Sequence, residues 1–326
     1  VTGTLAPESI GKVRRPGAVA RRIALRLVVG VGVLWGAATL TFLAVYLIPG
    51  DTALLILGGP DARPTPEAID RVRQDYLLDE PLAIQYLHYL GGLLQGDLGQ
   101  SYRLRIPVTE AIGQQIGSTA QLAGAAALLA LPLTFAVALA SAQRRPWIRS
   151  LVSGVEVVCA ATPTFVIGFA LLMVFSFSLH WFPIGGNQGP ASLVLPALTL
   201  ALAVFGPLSQ VLRNELDDVL EQAFVLTARA RGMRDAQVRV LHALRHAVIP
   251  VLTMSGFLIA ALLGGSVIVE TLFSRQGVGS LALASVYEKD LPVIIGVVLL
   301  SAAVYVVVNL AVDLLYTLID PRVVTA

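Results

Sequence analysis

Lysine is almost missing: Lys12, in "GKV", and Lys289, in "EKD", are the only two in 326 residues. A phosphate-cradling G-x-x-x-x-G-K-[ST] loop needs its lysine in that context, so no ATPase site of this kind lies in the chain. Cysteine is scarcer still. Cys159 stands alone, which excludes an internal disulfide and leaves a small packing residue as its ordinary role. Charged side chains make up 13% of the sequence, against about 25% in soluble domains. With 56% hydrophobic residues and a mean hydropathy of +0.77, that shortage excludes an ordinary soluble globule. The histidines, His88, His180, His242 and His246, sit outside or at the edges of apolar runs, and there is no H-E-x-x-H. No nucleophile has a base beside it, so catalytic and metal-binding residues are expected to be absent.

What is present is a series of apolar blocks near 20 residues long, enough to cross about 30 Å of hydrocarbon at about 1.5 Å per residue. The expected fold is therefore an all-α polytopic membrane protein with six transmembrane helices. The spans are placed at Leu27 to Ile48, Thr119 to Ala142, Leu151 to Leu179, Leu193 to Leu212, Ala247 to Phe273 and Pro292 to Leu318. Pro163 lies inside the third, where a tilt or kink is expected. Around them the chain divides into a basic segment 1–26, the first span 27–48, a helical external segment 49–118, a five-helix core 119–318 and a tail 319–326.

Basic residues favour the cytoplasmic side. An internal N-terminus puts 16 of the 23 there, in the groups 12–26, 144–149 and 213–245 and at Arg322. Both termini are then cytoplasmic. The first apolar run is longer than a signal-peptide core and lacks a small-residue cleavage pattern, so an uncleaved anchor is expected. In the external segment, Thr65 before Pro66 and Glu67 starts a helix with Ile69, Val72 and Tyr76 on one face. Leu82, Tyr86, Tyr89, Leu90 and Leu93 suggest a second. Such helices either cover the bundle at the membrane surface, which periodicity favours, or receive an external partner.

The strip "TARARGMRDAQVRVLHALRHAVIP", Thr227 to Pro250, concentrates arginine between apolar runs. Burying the six arginines from Arg213 to Arg245 in hydrocarbon would cost on the order of 15 kcal/mol. It must lie outside, in a cytoplasmic loop 213–246. Phe224, Val225 and Ala228 are a turn apart, Gly232 interrupts, Asp235 is placed to cap a new helix, and Val238, Leu241, Leu244 and Val248 continue at helical spacing. Two short helices joined at a glycine suit docking into a groove of a cytoplasmic protein. They equally suit an amphipathic hairpin on anionic lipid.

This strip resembles the cytoplasmic EAA loop of ABC importer permeases, in the form found in the dipeptide, oligopeptide and nickel branch. "TFLAVYLIPGD" from Thr41, "QYLHYLGGLLQGDLGQSY" from Gln85, "VETLF" with "GVG" from Val269, "DLPVIIG" from Asp290 and "NLAVDLLYTLIDPR" from Asn309 are similar to that branch in order and spacing. The "PGD" and the segment after it resemble the B-type subunit. The resemblance implies a type I importer permease fold, a C-type permease partner, two ATPase subunits that bind ATP and magnesium, and an extracytoplasmic peptide-binding protein. It assigns docking on the ATPase to Thr227, Ala228, Arg229, Ala230, Arg231 and Gly232. Leu226 stands where the wider superfamily has an acidic residue, and "SRQG", Ser274 to Gly277, lacks the aromatic and proline common there.

A nickel importer and an ion-coupled secondary transporter are the rival readings. The second would use mid-membrane ionisable groups. Glu156, Glu270 and Asp313 lie off the midplane instead, where snorkelling or pairing with a nearby arginine is expected. Nucleic-acid binding is disfavoured, because the basic residues follow the topology pattern. Gly256, Ala260 and Gly264 form a small-residue stripe expected to serve helix packing. No substrate-contacting residue is named.

Overall fold

A computed structural model of the chain describes residues 16–47, 51–57, 64–75 and 77–319. Its helices, in chain order, are α1 (Pro16–Tyr46), α2 (Thr52–Ile56), α3 (Pro66–Asp75), α4 (Leu82–Leu94), α5 (Val108–Ser141), α6 (Pro146–Ala161) and α7 (Thr164–Leu171). A π-helical turn, Leu172–Ser178, extends α7. Then come α8 (Ala191–Leu220), α9 (Ala223–Ala230), α10 (Asp235–Gln237), a second π segment (Val238–Ala243), α11 (Leu244–Leu272), α12 (Val278–Glu288) and α13 (Leu291–Ile319). Among the described residues there is no strand beyond one isolated bridge between Gln100 and Pro107.

Among the described residues four helices are long and apolar enough to cross a membrane, within α1, α5, α8 and α13, and the bent pair of α6 with α7 and its π turn brings the number to five if it is one broken span. The expected fifth span is helical as α11, but the side chains of residues 255–261, Gly256 and Ala260 among them, lie outside the described residues. So do Tyr76, the N-terminal segment 1–15 and the tail 320–326.

Burial ranks the spans. In α8 61% of the apolar window is buried, against 28% in α5, 22% in α13 and 11% in α1, so α8 is the axis and α1 the periphery. Leu195, Leu200, Leu208, Leu212 and Leu216 of α8 are sealed by α5, α6, α7 and α11. The outer faces keep large apolar side chains exposed, such as Val28, Val31, Trp35 and Leu40 on α1, which suits a lipid surround. Gly206 of α8 lets the backbone of α6 approach closely. A Cβ there would lie 2.7 Å from the Glu156 carbonyl oxygen and 2.8 Å from the Ala160 nitrogen. Gly206→Ala is expected to destabilise the packed pair by about 1–3 kcal/mol, measured as a lower thermal midpoint of the purified protein.

The expected third span is not one helix with a kink. It is broken between Ala161 and Thr164, and its halves diverge by 107°. Proline has no N–H to give and pushes the residue before it into extended backbone, and Thr162 sits at φ −82°, ψ 125°. A second difference concerns α8, which runs eight residues past the expected end at Leu212 and takes Arg213 into the bundle.

α1 packs on α13, where Arg26 pairs with Asp313 at 2.9 Å. α4 lies against α1: the Tyr86 hydroxyl meets Thr39 Oγ1 at 2.6 Å, and Phe42 sits 5.2 Å from the Tyr86 ring and 5.5 Å from that of Tyr89. α4 therefore covers this part of the bundle. Asp51 binds Arg73 at 2.7 Å, and that hydrogen bond, with the Ala53 amide, holds the Asp51 carboxyl below its ordinary pKa. The turn before α5 is anchored by the buried Asp290, which accepts from the Ser101 hydroxyl and from the amides of Tyr102 and Arg103.

Candidate functional site

The hairpin from α9 to the second π segment closes on Gly232. α9 ends in a Schellman motif: the Gly232 N–H donates to the Arg229 carbonyl at 2.9 Å, and the Met233 N–H to that of Ala228 at 3.3 Å. Gly232 has φ +83°, the left-handed region that glycine enters without penalty. Met233 then packs into the core, as do Phe224 and Ala228. Asp235 does not cap α10. It is the first helical residue, and the cap is the Arg234 N–H donating to Gln237 Oε1 at 3.1 Å.

Asp235 instead holds two arginines, Arg229 Nη2 on Oδ1 at 2.9 Å and Arg239 Nε on Oδ2 at 2.9 Å. Burial by itself would raise its pKa, but the hydrogen bonds from Arg239 and Arg229 more than offset this and hold the carboxyl below the ordinary value. Arg239 is itself 5% exposed. Its Nη1 donates to the carbonyl oxygens of Leu139, at 3.1 Å, and Ala142, at 2.6 Å, the orphan acceptors at the C-terminus of α5. The hairpin is thereby bolted to α5 at one end and runs without a break into α11 at the other.

Of the six docking candidates, Thr227, Ala230, Arg231 and Gly232 are exposed on this knob, while Ala228 and Arg229 are half-buried. Leu226, Val240 and Leu241 stand out beside them, at 64%, 51% and 63% exposure. Leu241 was expected on the core face with Val238. The wider π turn at Val238–Ala243 shifts the register, so that Val238, Arg239, Ala243 and Ala247 go inward.

Beside the hairpin, Asp217 of α8 accepts the Gln143 N–H at 2.7 Å and pairs with Arg149 at 3.0 Å, which fixes the α5–α6 turn to α8. Deeper, Glu156 is sealed against Arg213, with Nη2 to Oε2 at 2.7 Å, and takes the Ser209 hydroxyl at 2.7 Å. Pairing with arginine thus holds for Glu156 and Asp313. It fails for Glu270, which accepts from Thr119 at 2.6 Å and from the Ser280 amide at 2.9 Å, at the start of α12. A carboxylate is well placed there by the helix dipole. Among the described residues no three metal-ligating side chains cluster. Arg239, Asp217 and Thr119 carry this architecture without having stood out in the sequence, where every arginine of the strip served the topology pattern equally.

The geometry of the bundle agrees with the sequence comparisons. The family described as "Binding-protein-dependent transport system inner membrane component" matches residues 130–325, and its N-terminal counterpart matches residues 19–123. A peptide transport system permease protein of Brucella abortus is 35% identical over 307 residues, 91% of this chain and 97% of the relative. The glutathione transport system permease protein of Salmonella typhimurium is 39% identical over 287 residues, 88% of this chain and 93% of the relative. A chain with several apolar spans that matches this family over most of its length is a member of it: the protein belongs to the inner-membrane permease components of binding-protein-dependent transport systems.

Proposed function

We propose that this chain is a B-type permease subunit of an ATP-driven importer for dipeptides and oligopeptides. It spans the membrane six times with both termini in the cytoplasm. It works with a C-type permease, two ATPase subunits that supply ATP and magnesium chemistry, and an extracytoplasmic binding protein. Peptide is preferred over nickel because the relatives above are named for peptide and glutathione transport.

The carrying observation is the glycine-jointed knob, with its exposed apolar tips, gripped at the end of α5 by Arg239. When the ATPases close on nucleotide, a groove that holds Thr227 to Gly232 moves the knob. The displacement then enters α5 through Arg239 and α11 through continuous helix. Binding energy does the work only if the joint is stiff. Nothing in this chain lies within 4 Å of a Cβ at Gly232, so within the chain a substitution there acts through backbone strain.

A left-handed position costs an L-residue about 1–2 kcal/mol, with asparagine suffering least and β-branched residues most. Gly232→Val is therefore expected to insert normally but to lower uptake per ATP hydrolysed, while Gly232→Asn stays close to the parent. Reconstituted vesicles that report both rates provide the check. Co-purification tests the assembly: the chain should bring down a second permease, two nucleotide-binding subunits and ATPase activity. A chain that transports alone, driven by an ion gradient, would overturn the reading.

A further inference from the structure

Arg275 lies in the turn between α11 and α12, at the end of α11 remote from the hairpin. It is 4% exposed. Among the described residues no hydrogen bond or ion pair reaches its guanidinium, and its Nε is sealed with no partner at all. The Nη groups keep what little contact with solvent remains. Glu270 is the acid of the same turn, but its Oε1 is taken by Thr119 and its Oε2 by the Ser280 amide. Only the backbone of Arg275 reaches it, its N–H donating to the Glu270 carbonyl at 2.7 Å. Burial pulls the guanidinium pKa below its ordinary value, and the Glu270 charge at a distance pulls it back up. An arginine does not escape by losing its proton, so the charge persists.

A buried cation without a direct anion is disfavoured, and buried charges in folded proteins are as a rule paired, so an unpaired one calls for a partner from outside the chain. The surroundings suit a small polar ligand. Half-buried Ser118 of α5, with exposed Asn187 of the segment before α8 and Gln276 of the turn, forms a polar lip: the Ser118 hydroxyl and the Asn187 amide both donate to the Gln276 carbonyl, and the Gln276 N–H donates to Asn187 Oδ1. That lip is pinned and polar. A guanidinium with two free Nη groups and little exposure matches the planar fork of one carboxylate better than it matches a broad protein surface.

We propose that Arg275 binds the terminal carboxylate of the peptide in transit, at the end of the bundle opposite the ATPase-docking hairpin. The assignment rests on the peptide reading above and names the substrate group that this chain itself recognises. It explains why a charge is held inside a turn where, among the described residues, no carboxylate pairs with it directly.

The test uses the complete complex in vesicles, with the binding protein saturated in turn by trialanine and by trialanine C-terminal amide. The parent complex should import the acid faster than the amide. Arg275→Gln should lower import of the acid on the order of tenfold and leave the amide unchanged, since one charge-assisted contact is lost. Arg275→Lys, which keeps the charge but not the fork, should retain most of the preference. Equal loss for both peptides, or no loss for either, overturns the assignment alone. If Arg275→Gln does not assemble, the parent decides, and equal import of acid and amide overturns it. A parent complex that imports neither peptide overturns the peptide reading and the assignment with it.

Discussion

Glu156→Leu, made alone, is expected to destabilise the protein by about 3–5 kcal/mol, because it strands Arg213 in the bundle with no anion. The side chains of the pair are 0% and 4% exposed, so solvent screening does not soften the loss. The guanidinium meets the carboxylate through Nη2 at 2.7 Å and through Nε at 3.2 Å to Oε2, with the Ser209 hydroxyl on the other oxygen. Arg213→Met alone leaves the opposite charge buried and should cost a similar amount. Replacing both together, Glu156→Leu with Arg213→Met, removes two desolvation penalties along with the attraction. The double variant is therefore expected near the parent, or above it by about 1–4 kcal/mol. Thermal unfolding of the purified protein in detergent reads all three. A double variant no better than either single one would show that the site matters for packing around Gly206 and not for its charges.

That pairing marks the limit of what the sequence could reveal. Apolar runs announce spans because crossing hydrocarbon needs a fixed length of helix, and residues 24–44, 108–141, 191–220 and 291–314 carry that signal strongly. An off-centre Glu156 left snorkelling and an arginine partner both open, and could not name the partner, since Glu156 and Arg213 are 57 positions apart. Pro163 foretold a bend, yet a 107° break depends on what packs around each half. Gly232 was readable because glycine enters the left-handed conformation of the joint without penalty. Leu241 misled, since a π turn leaves no mark on hydrophobic spacing, and Glu270 misled because a helix start and a threonine replaced the expected arginine. For Glu270 a tertiary neighbour outweighed a local pattern, and for Leu241 a change of helix type did.

Arg239→Leu is expected to leave the complex assembled and hydrolysing ATP while uptake falls by about tenfold or more, a loss on the scale of one or two charge-assisted hydrogen bonds. Leucine keeps much of the buried volume. What it deletes is the grip on the Leu139 and Ala142 carbonyls, among the described residues the only direct polar link between the knob and α5, and it leaves those acceptors unpaired. The bond to Asp235 counts for less, because that carboxylate is 49% exposed and Arg229 still reaches it. α11 would still follow the knob through continuous helix, but α5 would not, and the two would move out of step. Arg239→Lys separates grip from charge: one ammonium reaches a carbonyl without the fork and should restore part of the uptake. Peptide imported per ATP hydrolysed is the decisive reading, because a variant that had merely weakened the fold would lose both rates together. An unchanged ratio in Arg239→Leu would mean that force enters the bundle through α11 alone.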